Sequence, residues 1–352
     1  LGDKDQLASV EAGAVPGDLC RRADAGHYTV ATCDWLQTVT GETLDTALVD
    51  EAGLPLDQAV VKLRRSHRFS ADSGIGRLAE AVNAGDVAAV RGLQAEAPPD
   101  LAWLRFGSQE ASLKRLVLDG ARDDFPAGGD AALPPPVGYR HYLGVLRESQ
   151  PDAGAARDDF DEWARAVLAA HARFQLLCPL RRGPHGVEAL NQRIAAMLFA
   201  ERLTPAAHGW YLGRPVMVTR NDAGLGLMNG DVGITLALPH RDEGETAARW
   251  IPRVAFTAGD GSAGIRWVLP SRLQAVETVF AMTVHKSQGS EFAHAALVLP
   301  DRPSPVLTRE LIYTGITRAR HWFTLATFDA GHDVLDGAVT RKVRRAGGLL
   351  AG

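Results

Sequence analysis

FQLLCPLRRGPHGVEALNQRIAAMLFAE, residues 174–201, sets the fold class. Its opening FQLLCPL is a short apolar run closed by a turn, which reads as a buried strand. RRGPHG reverses the chain, and VEALNQRIAAMLFAE follows with helical spacing of its apolar positions. Strand, turn and helix in that order form the basic unit of an α/β sheet. Upstream, the amphipathic segment Asp158 to His171 reads as a helix, as do SGIGRLAEAVNAG (73–85) and QEASLKRLVLDG (109–120). In the first of these Ser73 suits an N-cap, Ile75, Leu78 and Val82 keep helical spacing, and Gly85 ends the helix. A helix-like stretch around Gly17 to Asp24 and a short strand at Val60-Val61-Lys62-Leu63 are expected before them, and residues 126–138 are a Pro/Gly-rich loop.

Downstream of Trp210 the texture changes. PVMVTR, VGITLAL, IPRVAFTA and IRWVLP are short β-like runs separated by Gly, Asn and Asp turns, the pattern of a small barrel-like insert. From Glu277 the α/β texture returns: TVFAMTV as a strand, HKSQGSEF as a polar loop, HAALVLP as a strand, a helix through ELIYTGITRAR and a final strand HWFTLAT. The expected organisation is an α/β domain interrupted by a small all-β insert.

Composition bounds the function. The chain has 352 residues, 46% apolar and 23% charged, and at this length two or three domains are expected and wholesale disorder is excluded. No stretch approaches the roughly 18–20 apolar residues that cross a bilayer. The N-terminus has no secretory leader, and without an initiator Met the chain is expected to begin inside a longer protein. A net charge of −4 excludes a wholly basic nucleic-acid coat, though not a locally basic groove. The basic residues comprise 33 Arg and 5 Lys, a bias of the kind a GC-rich genome produces. Cys20, Cys33 and Cys178, widely spaced and without a CxxC, suit buried thiols in a reducing cytosol.

The chemistry gathers in two segments. TVHKSQGSEF (283–292) follows an apolar strand, so its polar groups collect at a strand's C-terminal edge, where open α/β sheets place ligands. Thr283 and His285 are short donors suited to a nucleic-acid phosphate. Gln288 and Gly289 offer close backbone approach, and Glu291 a carboxylate able to accept from a ribose hydroxyl. The same residues also suit an ordinary polar turn with capping residues. In ELIYTGITRAR (310–320), Leu311, Ile312, Gly315 and Ile316 form one packing face, and Thr317 and Arg318 project where the helix crosses an interface. Arg318 suits an arginine finger, and Arg320 can pair with an acidic neighbour instead. Both can equally be surface charges on a solvated helix. Upstream, LGDKDQL places Gln6 in a loop fit to orient an attacking water or sense a γ-phosphate, and RRSHRF places Arg68 as a second finger.

Singly GDxxQ and SxRF are weak signals; in this order and spacing the set is specific. It resembles the motor portion of the RecD family, the α subunit of exodeoxyribonuclease V, a superfamily 1 helicase running 5′ to 3′ on single-stranded DNA. LGDKDQLASVEAGAVPGDLC is similar to that family's motif III and its continuation, RRSHRF to motif IV, TVHKSQGSEF to motif V and YTGITRAR to motif VI. GIGRLAEAVN, LLCPLRRGPHGVEALN and GRPVMVTRNDAGLGLMNGDVGI resemble family segments between them, the last beginning a small SH3-like domain. The resemblance is weakest around 86–160. Pif1-type and relaxase relatives share motif V, but SVEAGAVPGDLC points to RecD.

The resemblance implies a RecA-like (P-loop NTPase) α/β fold with a parallel sheet and an inserted SH3-like β-barrel, the first lobe being only partly present. Residues 1–66 would be the tail of the first lobe, 67–211 and 277–352 the second, and 212–276 the insert. It implies Gln6, Arg68 and Arg318 as γ-phosphate groups, Glu291 as the ribose contact with Gln288 and Gly289 beside it, and Thr283 and His285 on the DNA backbone. It further implies ATP and Mg²⁺ as cofactors and single-stranded DNA and RecB- and RecC-like subunits as partners. The setting would be cytoplasmic double-strand-break repair and recombination.

One departure matters. There is no GxxxxGK[ST], and no Lys follows a Gly. The family's Walker A loop and its metal-binding DExx segment would lie before Leu1, so this chain alone is expected not to hydrolyse ATP, and residues 1–66 are expected to be poorly supported. The alternative is a non-catalytic DNA-binding or scaffold module that retains half of a helicase fold. A nuclease is not expected, because no clustered Asp/Glu/Lys set suits two metals. Phe69, Trp210 and Trp267 suit either base stacking or a core, and the basic end RKVRRAGG either phosphate contact or a solvated tail.

Overall fold

A computed structural model describes residues 3, 5–7, 19–63, 73–107, 110–126, 133–241, 248–259, 264–328 and 331–343. The chain divides into two compact units, 1–71 with 342–352, and 72–341. In the first, Tyr28 is buried, bridges Val49 and donates its hydroxyl to the Val60 carbonyl at 3.0 Å. Helix α1, Val30–Thr40, is capped by the Thr29 side chain and by Gly41 but buries no residue, leaving Trp35 61% exposed. The strand expected at Val60 to Leu63 does not form; the segment is irregular, and Val61 and Leu63 are exposed. Among the described residues it has no neighbouring strand whose ladder its backbone groups could join.

The second unit begins with α2 (Gly74–Ala84) and α3 (Val87–Glu96). Strand β1 (Leu101–Phe106), α4 (Ala111–Asp119), α5 (Tyr139–Glu148) and α6 (Arg157–His171) follow. Ser73 caps α2, and Gly85 and Gly120 take left-handed conformations that close α2 and α4, as the sequence punctuation indicates. Strand β2 (Phe174–Cys178) is buried along its whole length and leads into α7 (Val187–Ala200).

The segment between 215 and 278 forms its own antiparallel sheet: β3 (Pro215–Val218), β4 (Val232–His240), β5 (Arg249–Thr257), β6 (Ile265–Val268) and β7 (Val276–Thr278), in the order β6-β5-β4-β3-β7. Val216, Val218, Val254, Phe256 and Val268 form its core. Ile234, Leu236 and Ala255 join the main core instead, and Trp267 Nε1 donates to Asp161 Oδ1 on α6 at 2.6 Å.

The chain then returns through β8 (Ala281–Thr283), β9 (Phe292–Val298), α8 (Arg309–Ile316), β10 (Ala319–Phe328) and α9 (Gly331–Thr340). Together with β1 and β2 these strands make a wholly parallel sheet ordered β1-β10-β9-β2-β8. Helices α4 to α7 cover one face, against Phe174, Leu176 and Cys178; α2, α3, α8 and α9 cover the other. A sheet covered on both faces explains why its strands read as unbroken apolar runs.

Three expectations need correction. The run TVFAMTV is two strands in two sheets, β7 pairing β3 and β8 pairing β2, with buried Val279 and Phe280 as the crossing. The helix expected through ELIYTGITRAR stops at Ile316, and Ala319 already begins β10. Cys178 is buried, but Cys20 and Cys33 are only partly so, and all three are free thiols. Burial pushes the Cys178 thiol up to about 12. Among the described residues no helix is long and apolar enough to cross a membrane.

Candidate functional site

The parallel sheet ends at the turn 283–291. Strand β8 is an edge strand, and its last residue pairs with Cys178 of β2. Beyond it Val284 N–H still donates to the Cys178 carbonyl at 3.1 Å, which carries the strand's direction into the turn. Thr283 closes the turn on itself: its carbonyl accepts from Lys286 N–H (3.0 Å) and Ser287 N–H (3.2 Å), and its Oγ1 also accepts from Lys286 N–H. Ser287 is buried, with its hydroxyl donating to the Val284 carbonyl at 2.8 Å. His285, Lys286 and Gln288 are half-buried around it, and Gly289 and Ser290 are exposed. Gly289 has φ 84°, and a Cβ built on it would meet nothing within 4 Å. The backbone there is open to a ligand's close approach.

Arg318 locks the turn from below. It is 3% exposed, because the end of α8 at Ile316 drops it into the turn to β10. Its Nη1 donates to the carbonyls of Ser290 (3.0 Å) and Ser287 (3.5 Å), and its Nε to the Thr314 carbonyl (3.1 Å). Its own carbonyl accepts from Phe292 N–H at 2.8 Å. Arg320, two residues on along β10, faces outward, and its Nε donates to Glu291 Oε2 at 2.8 Å. Next to it, burial first and then the charges of Arg320 and Arg173 hold the His321 imidazole below its ordinary value.

The structure therefore brings Thr283, His285, Gln288, Gly289, Glu291 and Arg318 into one cluster. Gln6 lies in the first unit, where its Nε2 donates to Asp3 Oδ2 at 2.9 Å. Arg68 and Phe69 fall outside the described residues. Trp210 is partly exposed beneath the Arg214 guanidinium, 4.7 Å from its ring centroid, and Trp267 is bound to Asp161, with Arg157 over its ring.

Sequence reading passed over two features. Lys286 Nζ donates to Asn229 Oδ1 at 2.7 Å, joining the turn to the β3–β4 connection of the small sheet. Asn191, in the apolar face of α7, is buried and bonded to the backbone of β8. A lone Asn at a helical core position is the only sequence signal for the second.

Comparison with known proteins agrees with this geometry. A family model described as the UvrD-like helicase C-terminal domain matches residues 278–326, the stretch that contains both the turn and Arg318. The RecBCD enzyme subunit RecD of Haemophilus influenzae is 32% identical over 99% of this chain and 49% of its own length. That of Mycobacterium tuberculosis is 36% identical over 99% of the chain and 47% of its own length. The ATP-dependent RecD2 DNA helicase of Deinococcus radiodurans is 30% identical over 67% of this chain and 29% of its own length. Among solved structures, a Pif1 helicase from Candida albicans covers 56% of this chain and 54% of its own at 16% identity, with a TM-score of 0.27, too remote to carry weight. The chain spans about half the length of the curated relatives it matches. With its whole extent aligned at about a third identity to RecD subunits, and its turn and Arg318 inside a matching helicase domain, this chain is similar to about one half of the RecD subunits of RecBCD enzymes.

Proposed function

We propose that this chain is the C-terminal motor portion of an ATP-dependent helicase subunit that moves along single-stranded DNA from 5′ to 3′. Residues 67–211 and 277–352 form its second RecA-like lobe, 212–276 an SH3-like insert, and 1–66 the tail of the first lobe. The observation that carries this reading is the junction of two distant segments. Arg318 holds the carbonyls of Ser287 and Ser290, and Arg320 holds Glu291, so the turn and the α8–β10 connection move as one.

Thr283 and His285 offer a hydroxyl and an imidazole to DNA phosphates at the sheet's C-terminal edge. Gly289 leaves backbone open beside the Glu291 carboxylate, which fits the ribose side of a nucleotide with Gln288 adjacent. The chain's own residues fit only that flank of ATP and Mg²⁺; the phosphate loop and metal ligands belong to sequence of the Walker type that this chain does not contain. When bound, ATP supplies the free energy of phosphoryl transfer. In the present arrangement the Arg318 guanidinium is committed to backbone carbonyls, its contact to Ser287 being long at 3.5 Å. An ion pair with phosphate adds the attraction of opposite charges to what the guanidinium gains from neutral carbonyls, so exchanging them is favourable. The exchange releases the turn that carries Thr283 and His285, which couples nucleotide state to the grip on DNA. Arg68 and Gln6 complete the γ-phosphate contacts in this reading. The relatives' names, RecBCD enzyme subunits, support RecB- and RecC-like partners; a cytoplasmic role in double-strand-break repair and recombination is what the motif resemblance implies.

The test uses a protein of the relatives' full length carrying this sequence. Arg318→Ala is expected to lower ATP turnover by roughly a thousandfold, the scale of a lost arginine finger. Arg318→Lys, which keeps the charge but not the planar fork, is expected not to restore it. His285→Ala is expected to weaken single-strand binding and flatten its salt dependence by at most about 0.7 in log–log slope, the value of one fully charged contact. Full turnover in Arg318→Ala together with an unchanged slope in His285→Ala would sink the motor reading.

A further inference from the structure

Strand β8 is short and lies at the sheet's edge, so among the described residues only one of its sides is paired with a strand. A three-residue edge strand is a weak support for a turn that must hold its shape against a ligand. Its entry is instead fixed by three buried side chains from three different elements. Asn191 of α7 takes the place of the missing neighbour strand: its Nδ2 donates to the Ala281 carbonyl at 3.0 Å, and its Oδ1 accepts from Ala281 N–H at 2.8 Å. On the other side, Gln175 Nε2 of β2 donates to the Phe280 carbonyl at 3.0 Å, and the Tyr139 hydroxyl of α5 donates to the same oxygen. Asn191 is 7% exposed, and Gln175 and Tyr139 are each 1% exposed.

Three buried polar side chains on two adjacent residues are more than the core requires. Val187, Leu190, Ile194 and Leu198 give α7 an apolar face that Leu at 191 would continue, and burying an amide there contributes only where both of its groups are bonded. What these bonds do is set the backbone path at 280–281, two residues before Thr283 and four before His285.

We infer that Asn191, Gln175 and Tyr139 are positioning residues: a clamp on Phe280 and Ala281 that aims Thr283 and His285 at a single-stranded nucleic-acid backbone. With Arg318 holding Ser287 and Ser290, the turn is then fixed at both ends, and the clamp acts on ligand grip in addition to fold stability. The inference rests on the reading of the 283–291 turn as a DNA contact.

The experiment measures binding of a fluorescent oligothymidine to the full-length protein over a salt series, with thermal midpoints alongside. Asn191→Leu removes both bonds to Ala281 while continuing the apolar face. Its affinity is expected to fall about tenfold with a flatter salt slope, and its thermal midpoint to fall as well because the buried Ala281 N–H and C=O lose their partners, so binding is read well below that midpoint. Because the clamp acts through Thr283 and His285, the double variant with His285→Ala is expected to lose less affinity than the two single losses combined. Tyr139→Phe deletes one hydroxyl and keeps the ring against Phe174 and Phe280, so it carries the same expectation at about fivefold even if Asn191→Leu does not fold. Parental affinity in Asn191→Leu and Tyr139→Phe, with His285→Ala weakened, overturns the clamp and leaves the DNA reading standing. Losses that simply add to that of His285→Ala also overturn it. Parental affinity in His285→Ala itself removes the DNA reading and the clamp with it.

Discussion

At the scale of single residues, Gly289 isolates a backbone effect. Its φ of 84° lies where a Cβ clashes with its own carbonyl, yet nothing else stands within 4 Å of where that Cβ would be. Gly289→Ala is therefore expected to lower stability by about 1 kcal/mol from strain alone, and Gly289→Asn by less, since Asn tolerates this region. Urea midpoints check the order; an Ala variant as stable as the parent would show that the turn relaxes to negative φ. The two arginines of TRAR show what a residue-level reading can and cannot reach. As letters they are equivalent, and each was open to a surface or a functional role. Their fates separate because α8 ends at Ile316, which puts Arg318 under the turn at 3% exposure and sends Arg320 outward to Glu291. Pairing of Arg320 with an acid was legible; the burial of Arg318 needed the helix end, which a helix-compatible sequence conceals.

At the scale of elements, the start of α2 combines a legible cap with a hidden one. Ser73 was readable as an N-cap, and its Oγ accepts from Gly76 N–H. The stronger cap is Asp100, just before β1, whose carboxylate accepts from Ser73 Oγ (2.9 Å), Gly74 N–H (3.0 Å) and Ile75 N–H (3.1 Å). A carboxylate at a helix N-terminus satisfies orphan donors and complements the dipole. Asp100→Ala is expected to cost about 2 kcal/mol in urea unfolding, with Asp100→Asn recovering part of it. A cost below that of Ser73→Ala would show that the local cap dominates. The same contrast runs through the fold. Gly-terminated helices and the apolar strands β2 and β9 were legible because their signals are local. The division of TVFAMTV between two sheets was not, since Thr278 ends β7 and the apolar run continues without a break through Val279 and Phe280 into β8. Strand β1 and helices α1, α3 and α5 went unread for a related reason. In β1, LAWLRF interrupts its burial at Trp103 and Arg105, and α1 has no buried face to generate a periodicity. Around the 283–291 turn, the grouping of Thr283, His285 and Glu291 on one strand-end loop was legible from motif order, whereas the bonds of Asn191, Gln175 and Tyr139 go to backbone atoms, which carry no residue signature.

At the scale of the whole molecule, the aromatic layer between α5, α6 and the sheet predicts how the protein responds to acid. His171, at the end of α6, stacks on Tyr139 with ring centres 5.8 Å apart, and among the described residues its Nε2 has no hydrogen-bond partner. His294, on β9, lies against Phe174 and Phe125, with Nε2 on the Thr324 hydroxyl at 2.8 Å. Burial pushes the His171 imidazole down to about 4 and that of His294 down to about 3. Both are neutral when folded and, in the unfolded chain, take up a proton near pH 6.5. A depressed pKa means the unfolded state binds more protons, so the stability is present above about pH 6.5 and is lost as pH falls towards the folded values. At pH 5 the loss is roughly 2 kcal/mol per histidine, a large share of a domain's typical 5–15 kcal/mol. Carboxylates contribute in a lower window: hydrogen bonds from His27, Arg77 and Lys114 hold Asp50, Glu96 and Glu201 below their ordinary values, so their stabilisation fades only in stronger acid. The paired replacement His171→Phe with His294→Phe keeps both rings and removes both titrations. It also leaves the Thr324 hydroxyl without its partner, at about 1 kcal/mol. The double variant is therefore expected to be somewhat less stable than the parent at pH 7 and clearly more stable at pH 4.5, the two urea-midpoint curves crossing between. Parallel curves over that range would mean that the histidines are hydrated in the folded state and that the aromatic layer is not sealed.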